Sequence, residues 1–222
     1  LHKNLSPVIY HVGGRKSVKK VFDHCPTEKR KHIVFCADLD TWVFAEVPEE
    51  YQEIHFTQGY SIENDLFADG EQALMNLLRP NERELFERIM SNVADWFAFE
   101  AEKLDKRRLT EGEIDSDFED ISIIQEIEWG NGSLKLAFLE KQGYVRAGEP
   151  YASKAKTWPT RTIRGKFIFA IFIALDKQRQ EGMKANHSKK GLWLQCIAEG
   201  LSNRPEPTNC QRIAQLLASI AR

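Results

Sequence analysis

Three carboxylates in this chain are spaced as an α/β protein would space them to hold a divalent cation. The apolar run Ile33-Val34-Phe35-Cys36-Ala37 stops at Asp38, and Asp40 follows two residues on. After a mostly polar stretch, the short run Ile54-His55-Phe56 leads to Ser61-Ile62-Glu63-Asn64. In wound parallel sheets, ligands bind outside the carboxyl ends of the strands, and Asp38 stands at such an end. Two acids this close repel each other unless a cation shares them. Mg²⁺ suits the site because it takes one or two carboxylates together with water and phosphate oxygens, and Mn²⁺ accepts the same hard donors. The plainer reading also stands. Asp38 and Asp40 could shape a turn, and Glu63 with Asn64 could serve a helix start, where an acid favours the dipole.

Cations are gathered at two other places. Gly13-Gly14-Arg15-Lys16, with Lys19 and Lys20, is a glycine turn running into a basic helix start that suits a phosphate. It matches neither a Walker A nor a G-x-G-x-x-G pattern, so no nucleotide cofactor is expected. Arg161, Arg164, Gly165 and Lys166 open an apolar segment. Cations are unfavourable at a helix N-terminus, so this cluster calls for an anionic ligand or an intramolecular acid. Asp115, Asp117, Glu119 and Glu126 imitate a calcium loop, but Asp120 stands where the loop needs Gly, and a solvated acidic segment is expected. His11, His32 and His55 make no spaced set and read as packed histidines. Trp42, just after the acids, either packs, covers them or stacks a base.

The elements that must position these groups follow from periodicity. Val8–Val12 reads as a strand ending at Gly13-Gly14, Ser17–His24 as an amphipathic helix, and Ile33–Ala37 as a strand covered on both faces with Cys36 in the core. Together they make a βαβ unit. Lys29-Arg30-Lys31 belongs to a loop. A short strand at Ile54–Phe56 precedes a helix capped by Ser61, with Leu66 and Phe67 facing inward. Asn81 with Glu84 resembles a capping box, opening a long helix through Leu85, Phe86, Ile89, Val93, Trp96, Phe97, Ala101 and Leu104 and closed by Lys103, Lys106, Arg107 and Arg108. Gly130-Asn131-Gly132 is expected to turn a hairpin between Ile121–Ile123 and Leu134–Leu136. Residues 143–159 read as loop, Arg161–Arg179 as a buried helix, and two more helices as lying near 191–201 and 208–221. The expected architecture is α/β over residues 1–80, with a mainly helical region over 81–222.

Composition sets the outer bounds. The chain has 222 residues, 42% of them hydrophobic and 29% charged, which is the profile of a folded globular protein rather than a disordered one. A net charge of −2 gives no overall attraction to nucleic acid, so any such contact must be a local patch. Cys25, Cys36, Cys196 and Cys210 have no C-x-x-C spacing, which points to reduced thiols and a cytoplasmic location. No apolar run reaches the roughly twenty residues of a membrane helix. The chain opens with Leu1, directly before a strand-like run, so residues upstream are expected.

Gly13-Gly14 after a strand, Asp38-Leu39-Asp40 after the next, Tyr60-Ser61-Ile62-Glu63-Asn64, and Arg164-Gly165-Lys166 resemble, in order, the DUF4435 family. The resemblance covers most of residues 8–180. Members are regarded as Toprim-like metal-dependent nucleases. Several are anti-phage effectors, notably in PARIS-type systems, where they associate with an ABC-type ATPase.

The resemblance implies a Toprim-like (Rossmann-like) parallel sheet in which Asp38 and Asp40 hold Mg²⁺ or Mn²⁺; Glu63 joins the metal and catalytic set on spacing, and the resemblance leaves it a partly structural role. It also implies a nuclease acting on RNA, including tRNA, or on DNA. Toprim sites use a further Glu at the end of the first strand, which the resemblance places upstream of Leu1. Lys166 would join the catalytic set, and Gly14, Arg15, Lys16 and Arg164 would take phosphates. An ABC-type ATPase and a second copy of the chain are the protein partners to expect. Two other readings stand beside this one. The first is a non-catalytic regulatory subunit of an ATPase-containing defence complex, and the second is a phosphatase-like domain using the same strand-end acids.

Overall fold

The computed structural model describes residues 8–111, 121–179 and 188–203. Val8–Val12 is not a strand. It runs as irregular chain with Val8, Ile9 and Tyr10 almost fully exposed, because β-propensity is realised only where a neighbouring strand and an apolar face receive the residues. The expected βαβ unit therefore begins without its first strand. Gly13, at φ 104, turns the chain into α1 (Arg15–His24), where Val18 and Phe22 fall one turn apart and are buried. A single-turn helix, α2 (Thr27–Arg30), takes the place of the expected basic loop.

The parallel pairing is short. β1 (Cys36–Ala37) and β2 (His55–Phe56) pair parallel, with Cys36 opposite His55 and Ala37 opposite Phe56. Only one face of this pair is covered: Phe35 and Ile54 pack on Val18 and Phe22 of α1 as a small separate core. Side chains alternate faces along a strand, so Cys36 and His55 both point to solvent, against the expectation that each is buried. His11 and His32 are exposed as well. Between the strands lie 3-10 turns at Asp40–Phe44 and Glu49–Tyr51.

Helices make up most of the rest. Ser61 caps α3 (Ile62–Leu77), and Leu66 and Phe67 are buried as expected. Next comes α4 (Pro80–Glu111), which starts one residue before the expected capping box. Its first position is Pro80, whose missing N–H costs nothing there, and the Arg79 N–H donates to Glu82 Oε2 at 2.7 Å. The apolar stripe of α4 is the spine of the main core: Phe86, Ile89, Val93, Trp96, Phe97 and Ala101 are all nearly inaccessible.

After a 3-10 turn at Ile123–Glu126, the antiparallel pair β3 (Ile127–Glu128) and β4 (Ser133–Leu134) forms the hairpin around Gly130–Gly132. Its arms are shorter and shifted from those expected, since Ile121–Ile123 lies before it and Leu136 starts a helix. The helices α5 (Leu136–Gln142), α6 (Tyr151–Thr157) and α7 (Pro159–Thr162) follow; α6 falls within the stretch expected to be loop, and α7 starts at its last residue. The buried helix is α8 (Gly165–Arg179), with Ile168, Phe169, Ile171 and Phe172 inside the main core. Finally, α9 (Lys189–Asn203) lies against α3, where Gly70 lets the backbones touch: a Cβ there would sit 2.6 Å from Cys196 Cα.

The protein is thus mixed α/β and mostly helical, with one two-stranded parallel sheet among the described residues. The expected helix near 208–221 and most of the acidic 111–120 segment, with Asp115, Asp117 and Glu119, lie outside the described residues. No helix among the described residues is long and apolar enough to cross a membrane.

Candidate functional site

Backbone stitching sets the acids in place. The strand pairing runs on past the two sheet residues, with the Thr57 N–H donating to the Ala37 carbonyl at 3.2 Å. The Leu39 N–H then donates to Thr57 Oγ1 at 2.9 Å, and the Asp40 N–H to the Tyr60 carbonyl at 2.8 Å. Asp38 reaches across to the start of α3, where its Oδ1 accepts the Ile62 N–H at 3.0 Å. Asp40 takes φ +50, a left-handed conformation that Asp tolerates better than most residues, and it turns the chain into the following 3-10 segment.

The receiving segment is itself tied down. Asp65 accepts N–H groups from Gln58 and Gly59, folding the 57–60 loop back on α3. Asn64, buried at the first turn of α3, accepts the Ser61 N–H at 2.8 Å. It also donates to the carbonyls of Thr160 and Ile163, at 2.6 and 2.8 Å. That side chain locks the start of α3 to the approach of α8. Gly165 completes the junction, because a Cβ there would lie 2.5 Å from Glu63 Cβ and 2.8 Å from Asn64 N. Helix starts of α1, α3 and α8 thereby meet at one place, each adding partial positive charge.

What they enclose is a half-open cleft of about 540 Å³. Every site residue expected from the sequence lines it: Asp38, Asp40 and Glu63, with Lys166, and Gly14, Arg15, Lys16 and Arg164. Arg161 and the described histidines do not. Lys19, one helical turn beyond Arg15, also reaches the cleft, whereas Lys20 does not. Trp42 takes two of the three roles open to it. It packs against Tyr51 and Phe56, and it walls the cleft with the Arg15 guanidinium 4.3 Å from its ring centre. Sequence reasoning gave no site role to Ser17 or Arg108, and it noted Tyr60 only as part of the Tyr60–Asn64 motif. Nothing in the sequence links Arg108, in the last turn of α4, to acids so far away along the chain. Its position suited a helix dipole equally well.

The electrostatics are those of opposed charges in one recess. Burial pushes Asp38 up to about 6; the Ile62 N–H works against this, and the negative charges of Asp40, Glu63 and Asp65 add to it. Burial draws Arg15 below the usual guanidinium range, and Asp40, with its Oδ2 3.5 Å from Arg15 Nε, opposes that. The Ser61 hydroxyl lies 2.8 Å from Glu63 Oε2 and 2.9 Å from Asn64 Oδ1, and its one proton can serve either. Among the described residues no three His, Cys, Asp or Glu side chains stand close enough together to hold a metal ion as they are. The donor chemistry nevertheless fits Mg²⁺ or Mn²⁺: hard carboxylate oxygens, with Asp38 raised by burial and then by like charges, the latter of which a cation would relieve. Compared with protein-family models, curated proteins and solved structures, the chain matches none.

Proposed function

We propose that this cleft binds the phosphodiester backbone of a nucleic acid, RNA or DNA, and that the protein is a Mg²⁺-dependent nuclease of the Toprim type. One observation carries the reading: acids and cations from four separated stretches, the ones that resemble the DUF4435 family, line a single cleft. An acid at the end of a parallel strand, Asp38 after β1, supports the Toprim assignment. The role in anti-phage defence with an ABC-type ATPase belongs to the same proposal and rests on the resemblance.

Mg²⁺ or Mn²⁺ would be held by Asp38 and Asp40 with Glu63, and when bound it stabilises charge on phosphoryl oxygens and activates water. The chain's own groups do the rest. Arg15, Lys16, Arg164 and Lys166 bind and orient the phosphates, and the positive ends of the α3 and α8 helix dipoles favour the same anion. A cationic patch inside a chain of net charge −2 confines nucleic acid to this recess.

The test is cleavage of single- and double-stranded RNA and DNA by the protein, with Mg²⁺ and with chelator. Cleavage should need the cation and should disappear in the Asp38→Ala, Asp40→Ala double variant. Equal cleavage by that variant rejects the mechanism. The second reading is a non-catalytic anion-binding subunit, and the spread of the three carboxylates is what favours it. A melt with and without Mg²⁺ separates the two readings: a cation that binds only the native state must raise its stability, and the rise should vanish in Asp38→Asn.

A further inference from the structure

Arg108 does not belong to any of the stretches that define the proposed site, yet it reaches the same cleft from the last turn of α4. It is held there by a chain of polar contacts. Tyr151 of α6 donates its hydroxyl to Asp105 Oδ2 at 2.9 Å. Asp105 accepts Arg108 Nη1 through its other oxygen at 3.2 Å, and the same Nη1 donates to Thr41 Oγ1 at 2.8 Å. Thr41 is buried and follows Asp40 directly, so the guanidinium is anchored at the edge of the acid loop. Both bonds use Nη1, and a guanidinium has five donors, so the fork keeps donors for a ligand.

Arg15 is equally constrained. It donates to the Leu39 carbonyl, pairs with Asp40 and lies over Trp42, with its side chain only 10% exposed. Arg108 is near enough for its charge to be felt at Arg15. Two guanidiniums held rigidly in one partly desolvated recess repel each other, and a shared anion removes that repulsion. Planar forks of this kind match the oxygens of a phosphate.

We propose that Arg15 and Arg108 form a two-arginine clamp for a phosphate group next to the carboxylates, with Asp105 and Tyr151 as positioning residues for Arg108. The clamp rests on the phosphodiester reading of the cleft and names the residues that would seat one phosphate of the substrate.

The experiment measures binding without cleavage, using inorganic pyrophosphate as the probe in chelator-treated buffer, by calorimetry. Arg108→Ala and Arg15→Ala should each weaken pyrophosphate at least about tenfold, since each removes charge-assisted bonds. Arg108→Lys should recover only part of this, because an ammonium cannot offer the fork. Tyr151→Phe should weaken binding about threefold, and Lys103→Ala, an exposed charge elsewhere on α4, should leave it within twofold. Circular dichroism and melting of each variant separate lost binding from lost folding, and Arg108→Lys serves as the readout if the alanine variant does not fold. Binding by Arg108→Ala within twofold of wild type overturns the clamp and leaves the nuclease reading standing. No pyrophosphate binding by the wild type also overturns it, whatever the cleavage assay shows. A clamp confirmed in a protein that cleaves nothing would instead remove the nuclease reading alone.

Discussion

Replacing Asp38 by Asn should make the metal-free protein more stable at neutral pH, although it removes a residue on which the proposed activity depends. The carboxyl is half-buried, faces the negative charges of Asp40, Glu63 and Asp65, and titrates near 6 instead of its ordinary 3.8. A carboxyl with its folded pKa raised binds its proton more tightly in the native state than in the unfolded one. Native stability is therefore highest below pH ~3.8, falls as pH rises through ~6, and is level above that. At 1.36 kcal/mol per pH unit the full penalty at pH 7.5 has a ceiling of about 3 kcal/mol, and screening at a half-exposed group brings it to about 1–2 kcal/mol. Asn is neutral throughout and can still accept the Ile62 N–H through its amide oxygen. Asp38→Asn should then melt about 2–6 °C higher than wild type at pH 7.5 in the presence of chelator. The gain should shrink towards zero at pH 4, where the wild-type carboxyl is protonated. Melts of both proteins by circular dichroism across pH 4–8 give the answer. A variant less stable at pH 7.5, or one with the same difference at both ends, would refute the account of Asp38 as a charge held partly buried among like charges.

Three further outcomes follow from the packing around the cleft. Gly165→Ala forces a Cβ to within 2.8 Å of the Asn64 backbone nitrogen and should cost at least about 2 kcal/mol by denaturant midpoint. A loss below about 0.5 kcal/mol would mean that α3 and α8 are not in contact there. Asn64→Ala removes the bonds to Ser61, Thr160 and Ile163 and strands buried backbone groups, for an expected loss of about 3–4 kcal/mol by urea unfolding. Asn64→Asp should not rescue it, because a carboxylate cannot donate to the two carbonyls. Gly70→Ala should destabilise by about 2–3 kcal/mol, and Cys196→Ala should not restore it, because the Cys196 Cα itself is in the way. Full rescue would show that only the thiol obstructs.

Some of the site could be read directly from residue order. Asp38 and Asp40 ending an apolar run, Ser61 before Glu63 and Asn64, and glycine turns before cations are local patterns, and local backbone geometry realises them: a strand end, a helix cap, a helix start. The long amphipathic α4 was equally legible, because a sustained 3.6-residue period has few other solutions. The N-terminal run misled. Val8–Val12 has the composition of a strand, but strand formation depends on a partner that composition does not specify. Cys36 and His55 misled for the same reason: whether a strand is covered on one face or on both depends on what packs on the sheet.

By itself, then, the sequence determined which acids and cations are candidates for chemistry and where the chain turns, caps and stays apolar, since those are short-range properties of neighbouring side chains and backbone. Only the tertiary structure decided that acids after β1 and cations at the starts of α1 and α8 share one cleft. It did so through long-range contacts: Asn64 bonded to carbonyls near residue 160, and α8 brought in until only a glycine fits at 165. Tertiary packing also recruited Arg108. A side chain at the end of a long helix looks the same in sequence whether it faces water or a binding site, and only the helix's crossing of the core sets which it meets.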